Sequence, residues 1–300
     1  MWDSFDILMQ QSNPALYAIP IYFVLLIVEI YVSYRDRLDL YEVKDTAASL
    51  SLAMGSIFTD VLAKTVWLYL FVIAYEFRLF DDLLTFHWWA WILLFFADDL
   101  SFYCHHRTSH SVRLLWAAHV NHHSSKRYHF ATALRQSVTE MFYKYFFYIW
   151  LALLGFHPFM IITMVALSLI YQFWIHTQTI GKLPAWIEYV FNTPSHHRVH
   201  HASNIEYLDK NHGGILIIWD RMFGTFMEER DDIPVVYGLV SDIDTHNPVH
   251  IATHEYVSIW KDVWWAPTYL DKLKYVFYPP GWSHDGSKLT TEEMREKDSD

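Results

Sequence analysis

The stretch WWAWILLFFADDLSFYCHHRTSHSVRLLWAAHVNHH, Trp88 to His123, decides how the rest of the chain is read. It starts as a membrane span, since Trp88 to Tyr103 is apolar except for Asp98 and Asp99 near its end. It finishes as an array of metal-binding side chains. His106 and His110 stand four apart, and His119, His122 and His123 stand at i, i+3 and i+4. Residues three and four apart share a helix face, so each set aims two or three imidazoles at one point. His197, His200 and His201 repeat the second spacing downstream. His176 offers a ninth imidazole, and His196 a tenth or a supporting partner. One ion takes about four to six ligands, so this number points to two ions. Imidazole suits Zn, Cu, Fe and Ni alike, so ligand type leaves the metal open. The scattered His87, His129, His157, His246, His250, His254 and His284 read as surface or packing residues.

Outward from this stretch, the composition agrees with a membrane setting. The 300 residues are 53% hydrophobic and 18% aromatic. Only 18% are charged, against roughly 25% in an average soluble domain. Fourteen Trp, 20 Tyr and 21 Phe suit two membrane interfaces, where amphipathic rings settle. A net charge of −11 argues against a general nucleic-acid binder. The single cysteine, Cys104, excludes an internal disulfide and a cysteine-based zinc site. Met1 to Asp6 is acidic where a signal peptide would be basic, so the first apolar run is expected to stay as an anchor.

That first run is Leu16 to Tyr34. Ala47 to Phe80 is too long for one span of about 20 residues. It is expected to divide into a slanted or interfacial helix, Ala47 to Phe58, and a span, Val61 to Tyr75. Val138 to Phe156 and Phe159 to Ile175 read as a tight helical hairpin. Arg35, Arg37 and Lys44 lie in the first connection, and Arg107, Arg113, Lys126, Arg127 and Arg135 between the third and fourth spans. Basic connections face the cytoplasm, which puts the N-terminus outside and every histidine set inside. The expected fold is all-α: a multi-pass transmembrane helical bundle over 1–180 with the first two histidine sets. A cytoplasmic histidine-rich helical cap over 181–289 carries the third. A charged tail over 290–300 is expected to be disordered. Ligand histidines usually donate their second N–H to a carboxylate or carbonyl. Asp98, Asp99 and Glu140 are the nearby acids, and Asp99 and Asn211 are candidates to support the ligands. Arg107 and Arg198 are candidates to orient a head group.

The order HxxxH, HxxHH, HxxHH resembles the fatty acid hydroxylase/sterol desaturase superfamily. Asp99-Leu-Ser-Phe-Tyr103-Cys-His-His106-Arg107 looks like that superfamily's approach to its first histidine box. Within it, Leu115 to Ser125, Thr132 to Ser137, Tyr171 to Thr177, Asn192 to His201, and Asp209 to Asn211 with Ile218 to Thr225 look like the alkylglycerol monooxygenase branch and its bacterial relatives. Ser111 and His212 depart from that branch, where an acidic and an aromatic residue are usual. The resemblance implies two Fe2+ ions held by the histidines and O2-dependent hydroxylation of a lipid C–H bond. It also implies a soluble electron donor, tetrahydrobiopterin or a redox protein. In that branch the hydroxylated carbon adjoins an ether oxygen, and the product breaks down to an aldehyde and a glycerol derivative. Relatives that hydroxylate other lipids such as ornithine lipids, and sterol or fatty acid desaturases, would use the same residues. The implied setting is the plasma membrane of a bacterium or the endoplasmic reticulum of a eukaryote, with lipid and bilayer as partners and no nucleic acid. A metal transporter would need ligands spread through the bilayer, and a pH sensor would not need this spacing.

Overall fold

The computed structural model describes residues 14–81 and 84–299, so the acidic N-terminus lies outside the described residues. Among the described residues the regular structure is helical, with two isolated antiparallel bridges, Phe191–Leu216 and Ala202–Tyr237. Two helices among these residues are long and apolar enough to cross a membrane: α1 (Pro14–Arg35) and α2 (Val43–Glu76). Both turn large apolar side chains outward, among them Phe23, Ile27 and Tyr31 on α1 and Met54, Ile57 and Phe58 on α2.

Helix α2 is unbroken, which corrects the expected division at Asp60 and Lys64. These two residues pair at i, i+4 with an N···O distance of 2.6 Å, so their charges share one helix face and need no break. At about 1.5 Å per residue its 34 residues extend about 51 Å, well beyond a hydrocarbon core of about 30 Å. Helix α3 (Trp88–Ser111) continues past Tyr103 and so carries His106 and His110. Val112 is extended, at φ −118° and ψ 115°, and α4 (Arg113–His123) starts directly after it. Past the short α5 (Phe130–Ala133), the next apolar run is a helix with a tight middle. It comprises α6 (Met141–Lys144), a 3-10 turn (Tyr145–Tyr148) and α7 (Ile149–Leu154).

The run stops at Gly155, whose φ of 123° is left to glycine. A Cβ there would overlap the Phe80 carbonyl oxygen. Helix α8 (Pro158–Trp174) follows, with proline at its first position and the His157 ring accepting the Phe159 N–H at 3.2 Å. Phe71, Leu94, Tyr145, Leu151 and Ile161 form the core shared by α2, α3, α7 and α8.

The remaining chain is short helices: α9 (Ala185–Val190), α10 (Pro194–His200) and α11 (Ile218–Phe223), then α12 (Pro248–Trp265) and α13 (Tyr269–Phe277). The Asp99 carboxylate binds this region to α3. It accepts the backbone N–H of Ile215 at 2.7 Å and of Leu216 at 3.0 Å, and the Trp219 indole N–H at 2.9 Å. Gly214 permits the approach, since a Cβ would fall 2.9 Å from Asp99 Oδ1 and 2.8 Å from the Phe102 ring. The tail differs from its expected disorder. It forms α14 (Thr291–Ser299), because Thr290 and Glu293 cap each other reciprocally and Arg295 donates to Ile205 O at 3.3 Å.

Candidate metal centre

Nine of the ten histidines singled out in the sequence meet in two groups. His106 and His110 from the end of α3, His119 and His123 from α4, and His200 from α10 form the first. His122 from α4, His176 just beyond α8, His197 from α10 and its C-cap His201 form the second. In each group one nitrogen per ring lies within 4.8 Å of all the others. Each HxxHH set is therefore divided rather than aimed at one point. His119 and His123 serve one group while His122 serves the other. His197 and His201 serve the second while His200 serves the first. Adjacent helix residues diverge by about 100°, so the neighbours His122 and His123 face different targets.

Hydrogen bonding assigns the tautomers. His122 Nδ1 lies 3.3 Å from Arg135 O, and His176 Nδ1 lies 2.8 Å from Gln172 O. A carbonyl only accepts, so both Nδ1 atoms carry the proton and both Nε2 atoms carry a lone pair. Yet those two Nε2 atoms are 3.1 Å apart. His106 gives Nδ1 to His212 O at 2.9 Å, and its Nε2 faces His119 Nε2 at 3.0 Å. Lone pairs brought this close repel unless a cation lies between them. Ligand nitrogens about 2.1 Å from a common ion stand about 3 Å apart when adjacent. The Nε2 atoms of His110, His200 and His201 are buried without a hydrogen-bond partner, which fits atoms that donate to a metal.

All nine histidines lie within residues 91–225, which match the family model for fatty acid hydroxylase. Over this stretch the chain resembles that family. It is similar to alkylglycerol monooxygenases of Xenopus tropicalis (37% identical, 89% of this chain and 59% of that protein) and Homo sapiens (36%, 95% and 64%). The protein of that name from Danio rerio is 40% identical over 83% of this chain and 55% of its own length. The chain thus spans between half and two-thirds of the length of these curated relatives. No solved structure matches it.

In this matched region, burial and then neighbouring imidazoles hold His123, His200 and His201 well below the usual histidine pKa. They are neutral at pH 7 and free to donate to a metal. Carboxylates support the first group: Asp209 Oδ1 accepts from His110 Nδ1 at 3.1 Å, and Glu140 Oε2 lies 3.4 Å from His119 Nδ1. His200 gives its Nδ1 proton to Lys210 O at 2.9 Å.

His196 is turned away from both groups, with Nε2 3.0 Å from Glu188 and Nδ1 3.3 Å from the Thr193 hydroxyl. Asp99 holds the backbone of residues 215–216 rather than a histidine. Asn211 likewise clamps backbone, donating to His196 O and Met227 O and accepting from Met227 N. Arg198 is taken up by a two-pronged pair with Glu229 and by the carbonyls of Thr177 and Ile180. Arg107 donates to Tyr103 Oη.

Sequence spacing did not single out His105, Asp209 or the placement of His212. His105 lies 3.4 Å from the second Glu140 oxygen. His212 packs its ring 4.9 Å from that of His110, with Nδ1 buried and unpartnered. Only the departure of His212 from the family pattern marked it beforehand.

A cavity of about 600 Å³ opens on the first group, lined by His110, His123 and His200 with Trp116, Arg113 and Glu255. The second group is not among its lining residues. Tyr128 lies over it, with ring centroids 5.0 Å from His201 and 5.9 Å from His176 and its hydroxyl on Ile175 O.

Proposed function

We propose that this chain is a multi-pass membrane oxygenase that holds two iron ions, one per histidine group, and hydroxylates the carbon beside the ether oxygen of an alkylglycerol lipid. The facing Nε2 atoms of His122 and His176, each with its proton committed to a carbonyl, carry the metal part of this reading. The domain match and the shared name of the relatives support the lipid and the reaction.

Iron bound here supplies O2 activation, with two electrons from a soluble donor, a tetrahydropterin or a redox protein. One oxygen atom enters the C–H bond and the other leaves as water. The chain's own part is to hold and shield. Carboxylates and carbonyls fix the ring orientations, Tyr128 closes over the second group, and the cavity admits small reactants to the first. The cavity's mixed lining of Arg113, Glu255 and Trp116 suits a polar head group or donor.

The height of the centre fits a lipid substrate. Arg135, whose carbonyl orients His122, pairs with Asp45 near the start of α2. Asp45 lies about 46 Å along the helix from Glu76, beyond a hydrocarbon core of about 30 Å. An acyl or alkyl chain would remain in the bilayer while its head group meets the metals at the surface. The basic residues of the first connection and of Arg107 to Arg135 put that surface on the cytoplasmic side.

The test is purification with iron analysis, then incubation with an alkylglycerol, O2 and a tetrahydropterin. About two irons per chain and release of a fatty aldehyde are expected. Iron-loaded protein whose product has lost two hydrogens and gained no oxygen would identify a desaturase instead. Protein that binds no metal would overturn the enzyme reading.

A further inference from the structure

Helices α12 and α13 present their apolar faces outward. On α12, Val249, Val257, Trp260 and Trp264 recur at helical spacing and are 47–68% exposed. The face turned inward carries buried Ile251 and Ile259, with Glu255 and Asp262 paired to Arg113 at 2.7 Å each. Helix α13 repeats this arrangement. Tyr269, Leu270, Leu273 and Phe277 are exposed while Tyr275 is buried. Trp265, 80% exposed, extends the patch toward the turn between them.

We propose that α12 and α13 lie in the plane of the membrane surface, with the outward patch seated at the boundary between lipid head groups and acyl chains. This rests on α2 crossing the bilayer and not on the reaction proposed above. Its first support is depth. Ile251 packs against Ala48 and Leu52 of α2. These lie about 42 and 36 Å along the helix from Glu76. A bilayer measures about 30 Å across its hydrocarbon and 40–45 Å with head groups, so α12 meets α2 at head-group level.

Continuity is the second support. The Tyr256 hydroxyl bonds Thr139 Oγ1 at 2.7 Å, which sets α12 beside α6 and the exposed Phe142 and Phe146. On α2 the exposed apolar surface continues through Leu50 and Met54. The third support is chemistry. Trp and Tyr have an apolar body and one polar atom, which suits a half-wet boundary, and amphipathic helices with such a face lie in the interface plane. A second copy of the chain is the competing occupant.

The test uses the full chain in nanodiscs of phosphatidylcholine and phosphatidylglycerol. Single cysteines, Val257→Cys and Leu273→Cys, are introduced on a Cys104→Ser background and labelled with a polarity-sensitive fluorophore. Asp231→Cys, on an exposed loop, serves as the reference. Brominated acyl chains should quench the labels at 257 and 273 by roughly twofold and leave the one at 231 unchanged. Equal access of aqueous iodide to all three labels, without lipid quenching, overturns the proposal. So does protection that appears only in discs holding two chains. Iron content is read on the same samples. Metal-loaded protein with unquenched labels removes only the hairpin placement, whereas metal-free protein with quenched labels removes only the oxygenase reading.

Discussion

The first histidine group opens on a cavity and is oriented partly by carboxylates, whereas the second is covered by Tyr128 and oriented by carbonyls. Asp209 and Glu140 hold His110 and His119, while Arg135 O and Gln172 O hold His122 and His176. A carboxylate on the far nitrogen raises the basicity of a ligand imidazole, while a carbonyl chiefly fixes its orientation. The two groups are thus made from the same side chain but supported differently. The cavity is lined by members of the first group and by none of the second.

The largest effect should come from removing one ligand of each group. His123→Ala and His201→Ala should each lower turnover by about a thousandfold or more, the scale on which catalytic parts acting as a unit fail. Iron content should fall toward one ion per chain in each variant. Full iron content with full activity in either variant would remove that histidine from the ligand set.

Smaller effects separate the two supports. Asp209→Asn and Glu140→Gln keep the shape but take away the charge behind a ligand. Iron affinity should drop by about 10- to 100-fold, and the loss should fall on the first group. Iron titration followed spectroscopically checks this, and an equal loss at both groups would contradict the distinction. Tyr128→Phe removes the hydroxyl bonded to Ile175 O at 3.1 Å. It should cost about 1 kcal/mol of stability and change turnover only a few-fold. A collapse of activity in that variant would mean that Tyr128 does more than cover the second group.

His129 provides a control outside both groups. It is fully buried, stacked on Tyr41 at 4.0 Å, and neither ring nitrogen has a partner. Burial, and then the charges of Arg127 and Arg135, lower its pKa to about 4. The unfolded chain binds this proton near pH 6.5 and the folded chain only near pH 4, so stability falls as pH drops through that window. The loss should approach about 3 kcal/mol, since each pKa unit corresponds to about 1.4 kcal/mol. In iron-loaded protein, His129→Phe should flatten this part of the acid dependence in thermal melts and leave iron content unchanged. An unaltered acid profile would mean that His129 is not kept neutral by the fold.

Much of the centre was legible in the sequence because ligand spacing is a local property of helices. His106 with His110, and His119 with His123, are i, i+4 pairs that any helix places on one side. Spans were legible where apolar runs were clean, as in α1. They were misjudged in α2, because Asp60 and Lys64 look like an interruption in a linear reading but neutralise each other on one face. The tail was misjudged because charged composition suggested disorder, while Thr290 and Glu293 formed a reciprocal cap. Asp209 could not be linked to His110 from the sequence, since 99 residues separate them.

The sequence by itself determined that this chain has apolar helices of spanning length and that helix geometry brings its histidines together in sets. Only the tertiary structure decided how those sets divide between two groups and that His196 faces Glu188. It also decided which group meets the cavity. The reason is geometric. A single helix fixes the angle between its own side chains, about 100° per residue. Which of those directions finds a partner depends on where α3, α4, α8 and α10 cross, and that is set by packing and by long-range contacts such as Asp99 with residues 215–219.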